Sequence, residues 1–92
     1  MLSESGRTEK RTRVSVEVRL LGLQSPGLVE DTQMDNVSIR GARVLTSQPL
    51  QPQEPLLVAS TDGTLQTYAR VVYCKRLSER QYAVGLKFER GV

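Results

Sequence analysis

Basic side chains are concentrated near the start of the sequence, where Arg7, Lys10, Arg11 and Arg13 fall within seven positions. Glu9 is the one acid in this stretch, although the whole chain carries a net charge of only +3. Such a local cluster, more than the total charge, indicates an anionic partner. Guanidinium groups suit this task because their planar forks bind the oxygens of a phosphate in pairs.

A second polar group lies within the short apolar run DNVSIRGARV, residues 35–44, and consists of Asn36, Ser38 and Gly41. A plain strand would favour none of these residue types. Asn36 and Ser38 offer hydrogen-bonding groups. Gly41 has no Cβ, which predicts a positive φ where the chain bends between two strands and a close approach of backbone N–H groups to a ligand. The three residues would equally suit a structural turn or bulge, because Asn and Ser bond to their own backbone in turns. The sequence therefore predicts a polar rim at a turn, and the two roles are compatible.

The composition excludes several kinds of chemistry. The sequence has no histidine and a single cysteine, Cys74, which excludes His-based catalytic triads, most zinc sites and thiolate metal clusters. We therefore predict a protein that is not an enzyme and has no metal or cofactor. The longest apolar stretch is far shorter than the roughly 20 residues that span a bilayer, and the N-terminus lacks the apolar core of a secretory signal. These features predict a cytoplasmic protein without membrane insertion, in which Cys74 is a small buried hydrophobe.

Alternating apolar and polar residues predict β-strands along most of the chain. In RVSVEVRLL, residues 13–21, valine and leucine alternate with polar residues, which is the period of a half-buried strand. QYAVGLKFER, residues 81–90, alternates in the same way, and no segment has a helical period over ten residues. The turn signals between strands are QSPG at 24–27, the proline-rich segment at 48–55 and the Asp-Gly hairpin signal at 61–64.

Six strands separated by turn signals at intervals of roughly 8 to 12 residues are typical of a small antiparallel sandwich or barrel. A chain of 92 residues is long enough for one core, so a single domain is predicted over residues 1–92. Closing the sheet removes its exposed edges. We therefore predict an all-β fold, a six-stranded antiparallel β-barrel over residues 13–92, preceded by a flexible basic arm over residues 1–12, called the N-terminal arm below.

The two polar groups together resemble a known family. RTEKR, residues 7–11, is an R-x-x-x-R motif, and NVSIRG, residues 36–41, is a full match to (D/N)-x-S-x-x-G. This pair, separated by one strand and a turn, is similar to the PilZ domain, the bacterial receptor module for the second messenger cyclic di-GMP. RVSVEVRL resembles the first strand of that family, and YAVGLKF resembles its closing G-x-x-F strand at Gly85 and Phe88. The resemblance therefore covers nearly the whole chain.

The resemblance implies a PilZ-type split barrel, no catalysis and cyclic di-GMP as the ligand. It assigns Arg7 and Arg11 to guanine and phosphate contacts. It assigns the binding surface on the barrel to Asn36, Ser38 and Gly41. Additional ligand candidates are Arg13, Arg40 and Gly85. The expected partners are the messenger and a downstream protein that responds when the N-terminal arm becomes ordered, and self-association is left open.

Two other functions stay open at this point. One is a degenerate PilZ domain that serves as a protein-interaction adaptor and keeps its motifs for structural reasons. The other is an OB-like nucleic-acid binder, since a barrel with basic residues also describes that fold. The modest net charge disfavours nucleic acid, and so do the aromatic positions. Tyr73, Tyr82 and Phe88 are in phase with aliphatic neighbours, which predicts that they belong to the core.

Simple structural roles are also available for several of these residues. The N-terminal arm would be no more than a solvated charged terminus in that interpretation. Arg40 and Arg43 would be solvated or paired with a nearby acid such as Asp35. Gly85 is predicted mainly to permit tight packing in the last strand.

Overall fold

The computed structural model describes residues 15–24 and 27–89, and these residues form six strands that close into one barrel. The strands are β1 (Val16–Gly22), β2 (Val29–Asp35), β3 (Gly41–Thr46), β4 (Pro55–Ser60), β5 (Gln66–Ser78) and β6 (Gln81–Glu89). They follow the order β1-β2-β3-β6-β5-β4 around the barrel, and each neighbouring pair is antiparallel. The predicted all-β, six-stranded antiparallel barrel is confirmed. The N-terminal arm lies outside the described residues.

The barrel interior is filled by aliphatic side chains that point inward from every strand. In β3 and β4, half-buried and buried residues alternate strictly, as the period of two requires. Removing a Val, Leu or Met side chain from water contributes about 1.5–3 kcal/mol. The most completely buried side chains are Leu20, Met34, Leu56, Val18, Val44, Val58, Val71 and Val84. A core of valine and leucine is what the composition predicts for a chain with few aromatic residues.

The connections lie where the turn signals predict them. Residues 61–64 join β4 to β5, with Gly63 at a φ of 80° and the Asp62 carboxylate accepting the backbone N–H of Thr64 at 3.0 Å. The proline-rich segment is a loop between β3 and β4, and Pro55 begins the next strand. The described part of the chain contains no helix with the length and hydropathy needed to cross a bilayer.

A β-bulge in β5 corrects one expectation about the core. The pairing of β5 with β6 shifts between Val71 and Tyr73, so that Val72 is an extra residue in the ladder. An extra residue reverses the alternation beyond it. Tyr73 therefore lies on the outside of the barrel with 46% of its surface exposed, and its predicted place in the core is wrong. Tyr82 and Phe88 are partly buried and do pack against the core.

Cys74, the residue after Tyr73, is only partly buried. It packs against the core, and its sulfur accepts the backbone N–H of Leu50 at 3.5 Å. The prediction of a small buried hydrophobe is therefore correct for its packing and too strong for its burial.

The barrel closes between β2 and β3 by a short ladder, called the β2–β3 seam below. Among the described residues, the pairs in this ladder are Met34–Val44 and Asp35–Arg43. Farther along the two strands, side chains replace backbone pairing. Thr32 Oγ1 donates to the carbonyl oxygen of Leu45 at 2.6 Å. The Glu30 carboxylate accepts the backbone N–H of Ser47 at 3.1 Å and its hydroxyl at 3.2 Å.

Candidate ligand-binding site on the barrel wall

The loop that joins β2 to β3 contains the Asn-x-Ser-x-x-Gly sequence, and Asn36 makes its first bend. Asn36 has a φ of 52°, in the left-handed region that side chains other than glycine rarely adopt. Asparagine is enriched there because its short amide can bond to the local backbone. The residue type at position 36 is therefore explained by the backbone before any ligand is considered.

Ser38 holds the rest of this loop together. Its backbone N–H donates to the carbonyl oxygen of Gly41 at 2.9 Å, and its hydroxyl oxygen accepts the N–H groups of Arg40 at 3.1 Å and Gly41 at 3.3 Å. A serine hydroxyl has two acceptor sites and one donor. Both acceptor sites are thus occupied, and the hydroxyl proton has only a long contact of 3.5 Å to the carbonyl oxygen of Gly41. The proton of this long contact is therefore what the Ser38 hydroxyl can offer to a ligand, since its acceptor sites are used within the loop.

Gly41 is required for a reason other than the predicted one. Its φ is not positive, and in this loop Asn36 has that conformation instead. A Cβ on Gly41 would lie closer than 3.0 Å to the carbonyl oxygen of Leu86, a separation that real Cβ atoms essentially never show. The backbones of β3 and β6 approach closely here, and the N–H of Phe88 donates to the carbonyl oxygen of Arg40 at 2.8 Å. The expectation of a positive φ is wrong, and Gly41 serves close packing between strands.

The loop borders an open pocket of about 370 Å³ on the outer wall of the barrel, called the wall pocket below. Five of the site candidates from the sequence line it: Asn36, Ser38, Gly41, Arg40 and Gly85. The arginine candidates Arg7, Arg11 and Arg13 lie outside the described residues. The structure thus brings together every candidate among the described residues, and the contributions of Arg7, Arg11 and Arg13 stay predictions.

Three cationic side chains, Arg40, Arg43 and Lys87, also line the wall pocket. None of them makes a side-chain hydrogen bond or ion pair with the described residues. Arg43 faces Asp35 across the β2–β3 seam without forming an ion pair with it. Of the two structural roles considered for Arg40 and Arg43, solvation is therefore the one observed.

Two other arginines of the barrel, Arg19 and Arg70, are paired with acids. The Arg19 guanidinium lies 2.7 Å from Asp31 and lowers the pKa of that carboxyl through a hydrogen bond. Arg70 lies 2.8 Å from Glu89 and is the main cause of the lowered pKa of Glu89, to which Lys87 contributes least. Arg40, Arg43 and Lys87 have no such bonded counter-ion, and their combined charge at the wall pocket favours an anion there.

Of the lining residues that carry a charge or an aromatic ring, Lys87 and Tyr73 were missed, and Arg43 was considered as a ligand but left out of the predicted site. Two of them had a usable signal. Arg43 follows Gly41 by two positions and Lys87 follows Gly85 by two, so each lies on the same outer face as its glycine. Tyr73 had no such signal, because only the bulge at Val72 turns it outward.

The site has no features of a metal centre within residues 15–24 and 27–89, where no group of three or more His, Cys, Asp or Glu side chains could hold an ion. Comparison with family models gives one assignment: the model of the PilZ domain matches residues 5–91. This range contains both sequence motifs and all six strands. Comparison with curated proteins and with solved structures gives no match.

Proposed function

Because the chain belongs to the PilZ domain family, whose members are generally cyclic di-GMP receptors, we propose that it is a non-catalytic receptor for this dinucleotide. One observation supports the proposal most strongly. The loop carrying Asn36 and Ser38 opens onto the same pocket as the cations Arg40, Arg43 and Lys87, which have no bonded partner among the described residues.

The chemistry of the wall pocket is complementary to that of the ligand. Cyclic di-GMP has two phosphodiester anions and two guanines. In this proposal Arg40 and Lys87 neutralise a phosphate, and the Ser38 hydroxyl exchanges its long contact with Gly41 for a hydrogen bond to one of the phosphate oxygens. In the same proposal the Asn36 amide oxygen accepts from the N1 and N2 donors of a guanine.

An open pocket leaves one side of a ligand exposed to solvent, and in this proposal the N-terminal arm covers that side. Ordering the five residues from Arg7 to Arg11 costs roughly 5–10 kcal/mol, at about 1–2 kcal/mol for each residue. Two arginines that each make a bidentate contact supply four charge-assisted hydrogen bonds, at about 1.5–3 kcal/mol each. The two amounts are comparable, so the arm becomes ordered only when the ligand is present. A downstream protein or a second copy of the chain would then respond to the ordered arm.

Thermal denaturation with and without cyclic di-GMP tests this function, with GTP and a DNA oligonucleotide as controls. A ligand that binds only the folded state adds about 2.7 kcal/mol at a hundredfold excess over its Kd. For a domain of this size, that corresponds to a rise in Tm of roughly 10–20 °C. No rise with saturating cyclic di-GMP would contradict the proposal and favour the adaptor. A rise with the oligonucleotide alone would favour the nucleic-acid binder.

A further inference from the structure

A row of apolar residues crosses the outer wall of the barrel on β2, β1, β4 and β5. Leu21 pairs with Val29 on one side and with Leu57 on the other, and Leu57 pairs with Tyr68. Each of the four follows or precedes a buried residue along the chain, so by alternation each faces outward. Side chains paired in this way on one face lie within contact distance. The four therefore form one continuous row.

Two further apolar residues widen the row. Leu23 follows Leu21 on the same face, and its backbone N–H donates to the carbonyl oxygen of Pro55 at 3.3 Å. Val29 is 52% exposed, Tyr68 50% and Leu23 50%. Single exposed apolar side chains are ordinary, whereas a contiguous group of them marks an interaction surface. The group is called the apolar strip below and consists of Leu21, Leu23, Val29, Pro55, Leu57 and Tyr68.

The charged side chains that border the apolar strip are already paired within the chain. Arg19 and Asp31 occupy the next outward positions on β1 and β2, and their side chains lie 2.7 Å apart. At the other end of the row, Glu89 is the ladder partner of Tyr68 and lies 2.8 Å from Arg70. A partner that covers the strip therefore needs no charge to match, and a neutral apolar face is complementary to it.

We propose that the apolar strip is an interface between two copies of this chain, which pack wall to wall about a two-fold axis parallel to the strands. This axis places Val29 of one copy on Tyr68 of the other, and Leu21 on Leu57. The smallest side chain of the row then meets the largest, and the layer between the walls has an even thickness, as close packing requires. An axis across the strands would instead place Tyr68 on Tyr68 and Val29 on Val29, which leaves the layer uneven.

The residues beside the strip fit the same arrangement. Asp31, Arg19, Ala59 and Gln66 form the next outward row on the same four strands. The proposed axis places Arg19 over Ala59 of the other copy and Asp31 over Gln66. Each charge is thus opposite an uncharged side chain, and no like charges are brought together. One surface is complementary to itself, as a symmetric dimer requires.

The size of the strip predicts a weak dimer. Its outer strands lie about 14 Å apart, at three intervals of about 4.8 Å. Six side chains over that width bury less than the roughly 800 Å² per partner of a stable complex, so we expect a Kd of about a micromolar or weaker. None of the six residues lines the wall pocket. Dimer formation therefore needs no ligand, and it is a property separate from the proposed function.

Sedimentation equilibrium of the full chain without ligand, from roughly 1 μM to 1 mM, tests the interface. The variants are Val29→Lys, Tyr68→Glu and the two combined. Leu77→Lys and Leu77→Glu are matched controls, because Leu77 is also on β5 and half exposed but lies outside the strip. Each single change in the strip buries an unpaired charge and should weaken the dimer at least about tenfold. The controls should stay within a factor of about two of the wild type.

The combined variant tests the direction of the axis. The two changed positions are three strands apart in one chain, about 14 Å, and do not pair there. In the proposed dimer each introduced ammonium faces a carboxylate of the other copy, twice in the interface. We therefore expect the combination of Val29→Lys with Tyr68→Glu to dimerise more tightly than either single variant.

A measurement on the wild type does not depend on whether the variants fold. The methyl resonances of Leu21, Val29 and Leu57 should shift with protein concentration as the strip becomes covered. Those of Leu77 should stay in place.

Each contrary result overturns the proposal. A wild type that is monomeric over the whole concentration range does so, and this includes the case in which another segment of the chain covers the strip. A dimer that survives both single changes, or one that the Leu77 variants weaken equally, shows that the strip is not the interface. A combined variant no tighter than the single ones excludes the proposed axis. None of these results bears on cyclic di-GMP binding, which has its own test.

Discussion

Replacing Gly41 with alanine should lower the stability of the barrel, because the new Cβ would overlap main-chain atoms of β6. The carbonyl oxygen of Leu86 would lie within 3.0 Å of that Cβ, and the next nearest atoms are Leu86 C at 3.1 Å and Lys87 Cα at 3.3 Å. All three belong to the main chain of β6, so no side-chain rotation can relieve the overlap. The two strands must separate locally.

The cost follows from what such a separation disturbs. Two backbone hydrogen bonds hold this corner: Phe88 N–H to Arg40 O at 2.8 Å and Ser38 N–H to Gly41 O at 2.9 Å. Each contributes about 0.5–1.5 kcal/mol net, and overpacking itself costs about 1–3 kcal/mol. We expect Gly41→Ala to lose roughly 2–6 kcal/mol of unfolding free energy, which lowers Tm by about 10 °C or more in a domain of this size.

Gly85→Ala is the matched control, because the same added methyl group meets a movable obstacle. Its Cβ would overlap the ring of Tyr73, which is half exposed and free to swing toward solvent. We expect a stability loss of about 1 kcal/mol or less.

Urea denaturation followed by far-UV circular dichroism gives both unfolding free energies. Equal stability of Gly41→Ala and wild type would refute the argument from close backbone approach. A large stability loss in Gly85→Ala would show that the ring cannot move, and the distinction between the two glycines would then fail.

Three further predictions concern the loop, the N-terminal arm and acid stability. Asn36→Gly keeps the left-handed backbone and removes the side-chain amide. Its Tm should therefore change by only a few degrees while its affinity for cyclic di-GMP falls. An unchanged affinity would exclude an amide contact with the ligand. Arg11→Ala should weaken binding roughly 5- to 150-fold with an unchanged apo Tm, whereas Arg80→Ala, a change remote from the wall pocket, should leave both unaltered. The pKa of Asp31 is lowered from its ordinary 3.8 by its hydrogen bond from Arg19, so its stabilisation is complete above that value and is lost as the pH falls below it. Asp31→Asn should therefore reduce the drop in Tm between pH 7 and pH 3, and an undiminished drop would contradict the assignment.

Local features of the sequence predicted most of the fold. The strands follow from alternation over a few residues, and the hairpin at Gly63 follows from a dipeptide with a strong backbone preference. The roles of Asn36 and Ser38 as loop formers are local in the same sense, since their partners lie within a few positions. These features need no knowledge of distant contacts.

The errors concern contacts between residues far apart in the sequence. Gly41 was expected to need a positive φ, whereas its real constraint is the backbone of Leu86, 45 positions later. Tyr73 was placed in the core because alternation was extended through Val72, and nothing in the local sequence indicates that the ladder shifts there. The unpaired state of Arg43 could not be foreseen either, because an acid faces it across the β2–β3 seam and still does not bond to it.

The shortness of the β2–β3 seam has a mechanical consequence. Local opening of a closed barrel begins where neighbouring strands share the fewest hydrogen bonds. Among the described residues, that place is the β2–β3 seam, with two ladder pairs beside the wall pocket. A ligand in the wall pocket that binds Asn36 at the end of β2 and Arg43 on β3 would connect the two strands from outside the barrel. Amide hydrogens at the β2–β3 seam should then exchange more slowly with solvent. Binding in a surface pocket would thereby reduce local opening of the closed barrel.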